Sequence, residues 1–326
     1  MKRRHFMTLV GGAALIWPAL SLGQQSPRVW KIGYLGFGEA SSWASEVKAF
    51  RAGLRDLGYV EGRNLRIDFQ WADRVDQTFD LAKQLIDRKV DVIFAPASTQ
   101  VGPARRATAT IPIVFAQHAD PVGLGDVTSL PRPGGNITGM SMLLTEVSVK
   151  ELEILKEILP GAKRVGLLWN PTTPSHPTAV EAVDRAARTL GVELVPASAS
   201  TVSEVQDGFQ AMAHNQCNGV LVLSSPLYTV QAELVAELQM KHRLPAIFAN
   251  RANVKAGGLA SYGADLDDLY KRAAFYIDKI FKGATPAELP VEQASKYFMV
   301  LNSKTARALG VNVSPMLLAR VDEVIE

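Results

Sequence analysis

The chain has 326 residues, 47% hydrophobic and 21% charged, an ordinary globular composition long enough for two domains of about 150 residues each. Its formal charge of +3 is carried by Lys2, Arg3 and Arg4. Of 35 basic residues the other 32 meet 32 acidic ones, so no net field favours a nucleic-acid partner.

Residues 1–23 read as a cleavable export signal, with a charged start, an apolar run over 7–20 and a small-x-small site at Ser21-Leu22-Gly23. The pair Arg3-Arg4, followed by His5-Phe6-Met7, resembles a twin-arginine motif. The apolar run is shorter than the ~20 residues that span a bilayer, and no second such run follows, so the expected product is not membrane-spanning. Cys217 stands alone and excludes an intrachain disulfide.

Beyond the signal, strands and helices alternate. "RVWKIGYLG" is a strand, and 42–57 has helical spacing with Val47, Phe50 and Leu54 on one face. "LRIDFQ" is a strand, 79–86 a helix, "VDVIFA" a buried strand, 100–108 a helix and "IPIVFA" a strand; "RPGGNITGMS" then links to a helix over 145–159. The order starts again with "RVGLLW", a helix over 178–190, "VELVPA", a helix over 202–214, "GVLVLS", a helix over 228–242 and "AIFA". "KAGGLASYG" links to a helix capped by Asp265, with Leu266, Leu269, Ala273, Ile277 and Ile280 inward; a strand and a short helix complete the tail.

The two halves share anchors at one offset of 133 residues, pairing Gly33 with Gly166, Gly58 with Gly191 and Pro112 with Pro245. Such self-similarity predicts a duplicated unit. The fold class is therefore α/β, with two Rossmann-like lobes of parallel sheet flanked by helices. In such sheets ligands bind at the carboxyl ends of the strands, so two facing lobes share one cleft.

The residues at those ends are small hydroxyls, amides and aromatics. They include Ser42 and Trp43 after the first strand, Ser98 and Thr99 after the third, and Asn170, Ser224, Ser225, Asn250 and Tyr262 in the second half. Ser98 and Thr99, placed ahead of a helix, suit an anionic group. Asn170 and Ser224 suit the opposite polar end of a ligand, Trp43 and Tyr262 an apolar wall. Asp120 could pair with a ligand ammonium. Catalytic and cofactor signatures are missing. Gly33, Gly36 and Gly38 have the wrong spacing for a dinucleotide fingerprint, and no phosphate loop, nucleophile elbow or metal-ligand pattern occurs. No cofactor or metal is expected, and a surface-loop pairing of His118 with Asp120 is favoured over a base–orienter pair.

"DPVGLG…LPRPGGNITGMS", "KRVGLLWNP", "HRLPAIFANR" and, above all, "AGGLASYGADLDDLYKRAAFYIDKIFKGATPAELPVEQASKYFMVLNSKTARALG" resemble the ABC-transporter substrate-binding proteins of Gram-negative bacteria. The resemblance implies a type I periplasmic-binding fold with three crossings, lobe one over 28–141 plus 263–288 and lobe two over 142–262 plus 289–326. It implies a periplasmic monomer that captures a small-molecule ligand, an amino acid or a small aromatic or carboxylated compound, and delivers it to an ABC transporter permease. The competing expectation is an exported α/β enzyme acting in the same cleft through His118 and Asp120.

Overall fold

The computed structural model describes residues 28–326; the expected export signal lies outside them. The first half supplies β1 (Trp30–Phe37), β2 (Leu65–Ala72), β3 (Val92–Phe94), β4 (Ile113–His118) and β5 (Ile137–Ser141). The second supplies β6 (Arg164–Trp169), β7 (Glu193–Ser198), β8 (Gly219–Val222), β9 (Ala246–Phe248) and β10 (Ala260–Ala264). The tail adds β11 (Glu292–Gln293), β12 (Tyr297–Asn302) and β13 (Glu323–Ile325). The helices are α1 (Ala44–Asp56), α2 (Thr78–Asp87), α3 (Ser98–Ala107), α4 (Leu144–Ile158), α5 (His176–Thr189) and α6 (Val202–His214). They continue with α7 (Pro226–Val230), α8 (Ala232–His242), α9 (Arg251–Lys255), α10 (Leu266–Phe281), α11 (Ser303–Leu309) and α12 (Pro315–Leu318).

The strand orders are β11-β5-β4-β3-β1-β2 in one sheet and β13-β12-β10-β9-β8-β6-β7 in the other. Within each repeated unit the order is the same, 5-4-3-1-2 and 10-9-8-6-7, and every pairing in it is parallel. The central strands β3 and β8 are buried along their whole length because helices cover both faces. Pro196 sits in β7, an edge strand, where its missing N–H costs no ladder bond. Asp265 caps α10 by accepting from the Asp268 N–H at 3.3 Å, and Thr201 and Glu204 form a reciprocal capping box on α6.

The chain crosses between lobes after β5, after β10 and after β11. The last crossing corrects the expected boundary at 288/289, because Glu292 and Gln293 pair with Met140 and Ser141 of the first sheet. Two segments expected as links are strands instead. β5 and β10 close the parallel order of their sheets, and each holds a glycine pressed on its neighbour. A Cβ on Gly139 would stand 2.1 Å from the Phe115 carbonyl oxygen, and one on Gly263 would stand 1.9 Å from that of Ala249. Glycine lowers strand propensity, yet here close backbone approach requires it. The helix expected over 228–242 is two helices meeting at Gln231. Among the described residues no helix is long and apolar enough to cross a membrane.

Candidate ligand-binding site

In the 2-1-3-4-5 order the topological switch lies between the first and third strands, and the carboxyl ends there open a crevice. The two crevices face each other and enclose a cavity of about 20 Å³. Lobe one lines it with Trp43, Ser98, Thr99 and Gln117, lobe two with Thr173, Ser224, Ser225 and Asn250, and the first crossing with Met142 and Leu144. An aromatic slot of about 10 Å³ adjoins it, shares Trp43 and Gln117, and is walled by Tyr34, Trp71, Tyr270 and Pro226.

The lobe-one wall is built from rings held by their polar ends. Trp43 is buried in a 3-10 turn after β1, and its Nε1–H donates to the Phe37 carbonyl at 2.8 Å. With that donor satisfied, the indole offers the cleft only apolar surface. Tyr34 packs against Trp71 and Phe94 with ring centroids 5.3 and 5.1 Å away, and burial pushes its hydroxyl far above the usual range. Gly36 makes room for this cluster, since a Cβ there would lie 2.2 Å from the Trp71 ring. The strand-end glycine of β1 thus serves aromatic packing. Gln117 donates from Nε2 to the Tyr270 hydroxyl at 2.9 Å, and its Oε1 has no partner among the described residues.

Ser98 and Thr99 open the first turn of α3 itself, with Ala97 as the flanking residue, two residues earlier than expected. The Thr99 backbone N–H has no acceptor among the described residues, so the helix end presents a donor to the cavity. Their hydroxyls are engaged within the lobe. Ser98 Oγ accepts from the Ala119 N–H at 3.0 Å, and Thr99 Oγ1 donates to Gln100 Oε1 at 3.0 Å.

His118 is fully buried rather than in a surface loop, and its partner is Asp126, not Asp120. Nδ1 accepts from the Asp120 N–H at 3.2 Å, which makes Nε2 the protonated nitrogen donating to Asp126 Oδ2 at 2.9 Å. Arg105 Nε lies 3.1 Å from the other oxygen of Asp126. The lone pair that a general base needs is therefore occupied by backbone, although Ser98 Oγ stands 3.3 Å away. The Asp120 carboxylate turns onto the Gly123 N–H at 2.8 Å and lies outside the cavity.

The lobe-two wall is a polar network. Asn170 holds its own loop, accepting from the Thr172 N–H at 2.9 Å and hydroxyl at 2.8 Å and donating to Ser225 Oγ at 3.1 Å. It stands behind the wall rather than in it. His176 accepts from the Asn170 N–H at 2.8 Å and donates to the Ser224 carbonyl at 2.8 Å. Burial keeps it neutral and pushes its pKa down to about 4. Asn250 donates to Thr229 Oγ1 at 2.7 Å, and the Ser224 hydroxyl has no partner among the described residues.

Of the residues expected from sequence, Trp43, Ser98, Thr99, Ser224, Ser225 and Asn250 meet at the cavity. Ser42 faces a separate cavity near the second crossing. Tyr262 stacks on Tyr297 with centroids 5.9 Å apart and lies outside both, because strand alternation turns only its neighbours Ser261 and Gly263 to that cavity. Tyr34, Trp71, Gln117, Thr173 and Tyr270 were not anticipated. Trp71 was legible in principle, since it stands one residue before the end of β2, directly opposite Gly36.

Two doubly wound lobes joined by three crossings around a shared cleft give the chain the type I periplasmic-binding fold. The chain belongs to the ABC transporter substrate binding protein family, which it matches over residues 31–325. It is 29% identical over 263 residues to a tyrosine-binding protein of Clostridioides difficile, covering 80% of this chain and 75% of that one. An ABC domain from Streptococcus pneumoniae in complex with L-Trp is 26% identical, with a TM-score of 0.85 over 91% of this chain and 100% of the other. The ligand-free, open structure of a Clostridium difficile substrate-binding protein with adhesive properties is 27% identical, with a TM-score of 0.66 over 91% and 99%. The chain therefore superposes better on the L-Trp complex than on the ligand-free, open protein.

Proposed function

We propose that this chain is the extracytoplasmic binding component of an ABC importer, that it captures an aromatic amino acid between its lobes, and that it delivers the ligand to a permease. The observation that carries this reading is the slot of Tyr34, Trp43, Trp71 and Tyr270 opening beside a wall of neutral amides and hydroxyls. A ligand ring enters the slot, and its carboxylate meets the Thr99 N–H in the first turn of α3. The ammonium is held by neutral acceptors, Gln117 Oε1 and the Ser224 and Asn250 oxygens, since among the described residues no carboxylate lines this cavity. Relatives that bind tyrosine and L-Trp support the same ligand class.

A cavity of about 20 Å³ holds one water and no amino acid, so capture requires the lobes to part. Contacts made only in the closed arrangement then favour closure. Calorimetric titration of the protein lacking residues 1–23 with L-tyrosine, L-tryptophan and L-phenylalanine tests the reading. Saturable one-to-one binding, with a smaller radius of gyration in the complex, is the expected result. Absence of saturable binding of all three at millimolar concentration refutes it. Periplasmic delivery follows from cleavage after Gly23, which mass spectrometry of the exported protein checks by a new terminus at Gln24. Lysine at both Arg3 and Arg4 should block export if the twin-arginine route is used.

A further inference from the structure

On the α1 side of the molecule, beside the second crossing, the lobes enclose a cavity of about 220 Å³, far roomier than the aromatic cleft. Its walls come from the first turn of α1 in lobe one, the turn at α9 in lobe two, and the passage from β10 into α10. Glu46 lines it. This side chain belongs to a residue only 9% exposed, and it has no hydrogen bond or ion pair with any other described residue. Two of its charged neighbours, Asp267 and Arg251, are otherwise engaged. Asp267 accepts from Ser45 Oγ at 2.8 Å and pairs across the lobes with Arg251 at 2.7 Å. Lys255 also lines the cavity, is exposed, and is close enough to act on the charge of Glu46, but forms no ion pair among the described residues. Leu266 and Phe298 supply an apolar surface beside this pair.

A largely buried carboxylate whose only donor is its own backbone N–H is under-satisfied, and burial together with the Asp267 charge raises the Glu46 pKa against that bond. A ligand ammonium would supply the missing donors, and a ligand carboxylate would meet Lys255. We propose that this cavity, which meets the aromatic cleft only at Asn250, is a second small-molecule site, which takes a small zwitterion with a short apolar body, the chemistry of an aliphatic amino acid. Its ammonium sits on Glu46, its carboxylate on Lys255 and its side chain on Leu266 and Phe298. Because both lobes form the walls, an occupied site favours the closed arrangement. The inference goes beyond the cleft reading and does not require the cleft ligand to be aromatic.

The test is titration of L-leucine into the protein lacking residues 1–23, alone and with saturating L-tryptophan. L-Leucine is expected to bind in both cases at one equivalent. Glu46→Gln and Lys255→Met should each weaken it about tenfold or more, the loss of a charged hydrogen bond. Isoamylamine, which lacks the carboxylate, should keep its dependence on Glu46 and lose that on Lys255. Melting curves confirm that the variants fold; Glu46→Gln removes an unpaired buried charge and should not lower stability. One-for-one displacement of L-leucine by L-tryptophan, no saturable binding of L-leucine, or Glu46→Gln binding equal to the parent would each overturn the proposal. Should L-tryptophan fail to bind while L-leucine binding still depends on Glu46, the cleft reading fails and this one stands.

Discussion

The two lobes share a strand order and a repeat offset, yet they bring opposite materials to the cleft. Lobe one presents rings, Tyr34, Trp43, Trp71 and Tyr270, each embedded in apolar packing. Lobe two presents hydroxyls and an amide, Thr173, Ser224, Ser225 and Asn250, held by a hydrogen-bond network through Asn170 and His176. A duplicated scaffold therefore does not imply a duplicated site. The parallel sheets set where the strand ends lie, and the residues at those ends differ between the lobes even where, as at Trp43, they also pack into the core. On the proposed reading lobe one supplies the aromatic wall, while the ligand's polar groups are shared between Thr99 and Gln117 of lobe one and Ser224 and Asn250 of lobe two.

Removing the largest ring should produce the largest effect. Trp43→Ala is expected to weaken binding of L-tryptophan by about 3 kcal/mol, more than a hundredfold, with a stability loss of similar size because the indole is buried. Calorimetry below the melting transition of the variant measures it. An effect no larger than that of a lobe-two hydroxyl would break the comparison.

Acid should act on lobe two through His176. Its folded pKa is depressed to about 4 from an ordinary 6.5, so its neutral form is fully compatible with the fold above pH 6.5. As pH falls from there towards 4 the unfolded chain takes up the proton first, and about 3 kcal/mol of stability should be lost. Denaturant melts of the parent and of His176→Gln across that range test this; a variant with the same pH dependence as the parent would remove His176 from the account.

Asn170 and Ser224 separate support from contact. Asn170→Ala frees the Thr172 and Ser225 groups it holds, and should cost about 1–3 kcal/mol of stability while the folded fraction binds close to normally. Ser224→Ala should leave the melting curve unchanged and weaken binding by about 1 kcal/mol, roughly fivefold. The reverse pattern would put Asn170 in the wall.

The smallest effect is expected at the rim. Arg251 and Asp267 pair across the lobes at 2.7 Å, but both are solvent-exposed enough for water and salt to screen them. Arg251→Ala should change ligand affinity by less than about 1 kcal/mol, and the change should vanish at high salt.

Composition, alternation and the 133-residue offset were sufficient to determine two α/β lobes, because a parallel sheet covered on both faces demands unbroken apolar strands and regular crossings. Strand-end logic then reached Trp43, Ser98, Thr99, Ser224, Ser225 and Asn250, since the carboxyl ends of parallel strands converge wherever such sheets face each other. Which way a side chain turns at those ends was beyond that logic. Tyr262 lies one position from two cavity residues and faces away because alternation reverses its side, and Asp120 closes its own loop instead of meeting a ligand. Tyr34 and Tyr270 are core residues, yet their far edges form the slot, an outcome set by how α10 and β1 pack. β5 and β10 were hidden by glycines that only their neighbours' backbones explain. The tertiary structure also decided that His118 answers to Asp126, eight residues on, because a buried imidazole takes whichever acceptor the fold brings to its free N–H.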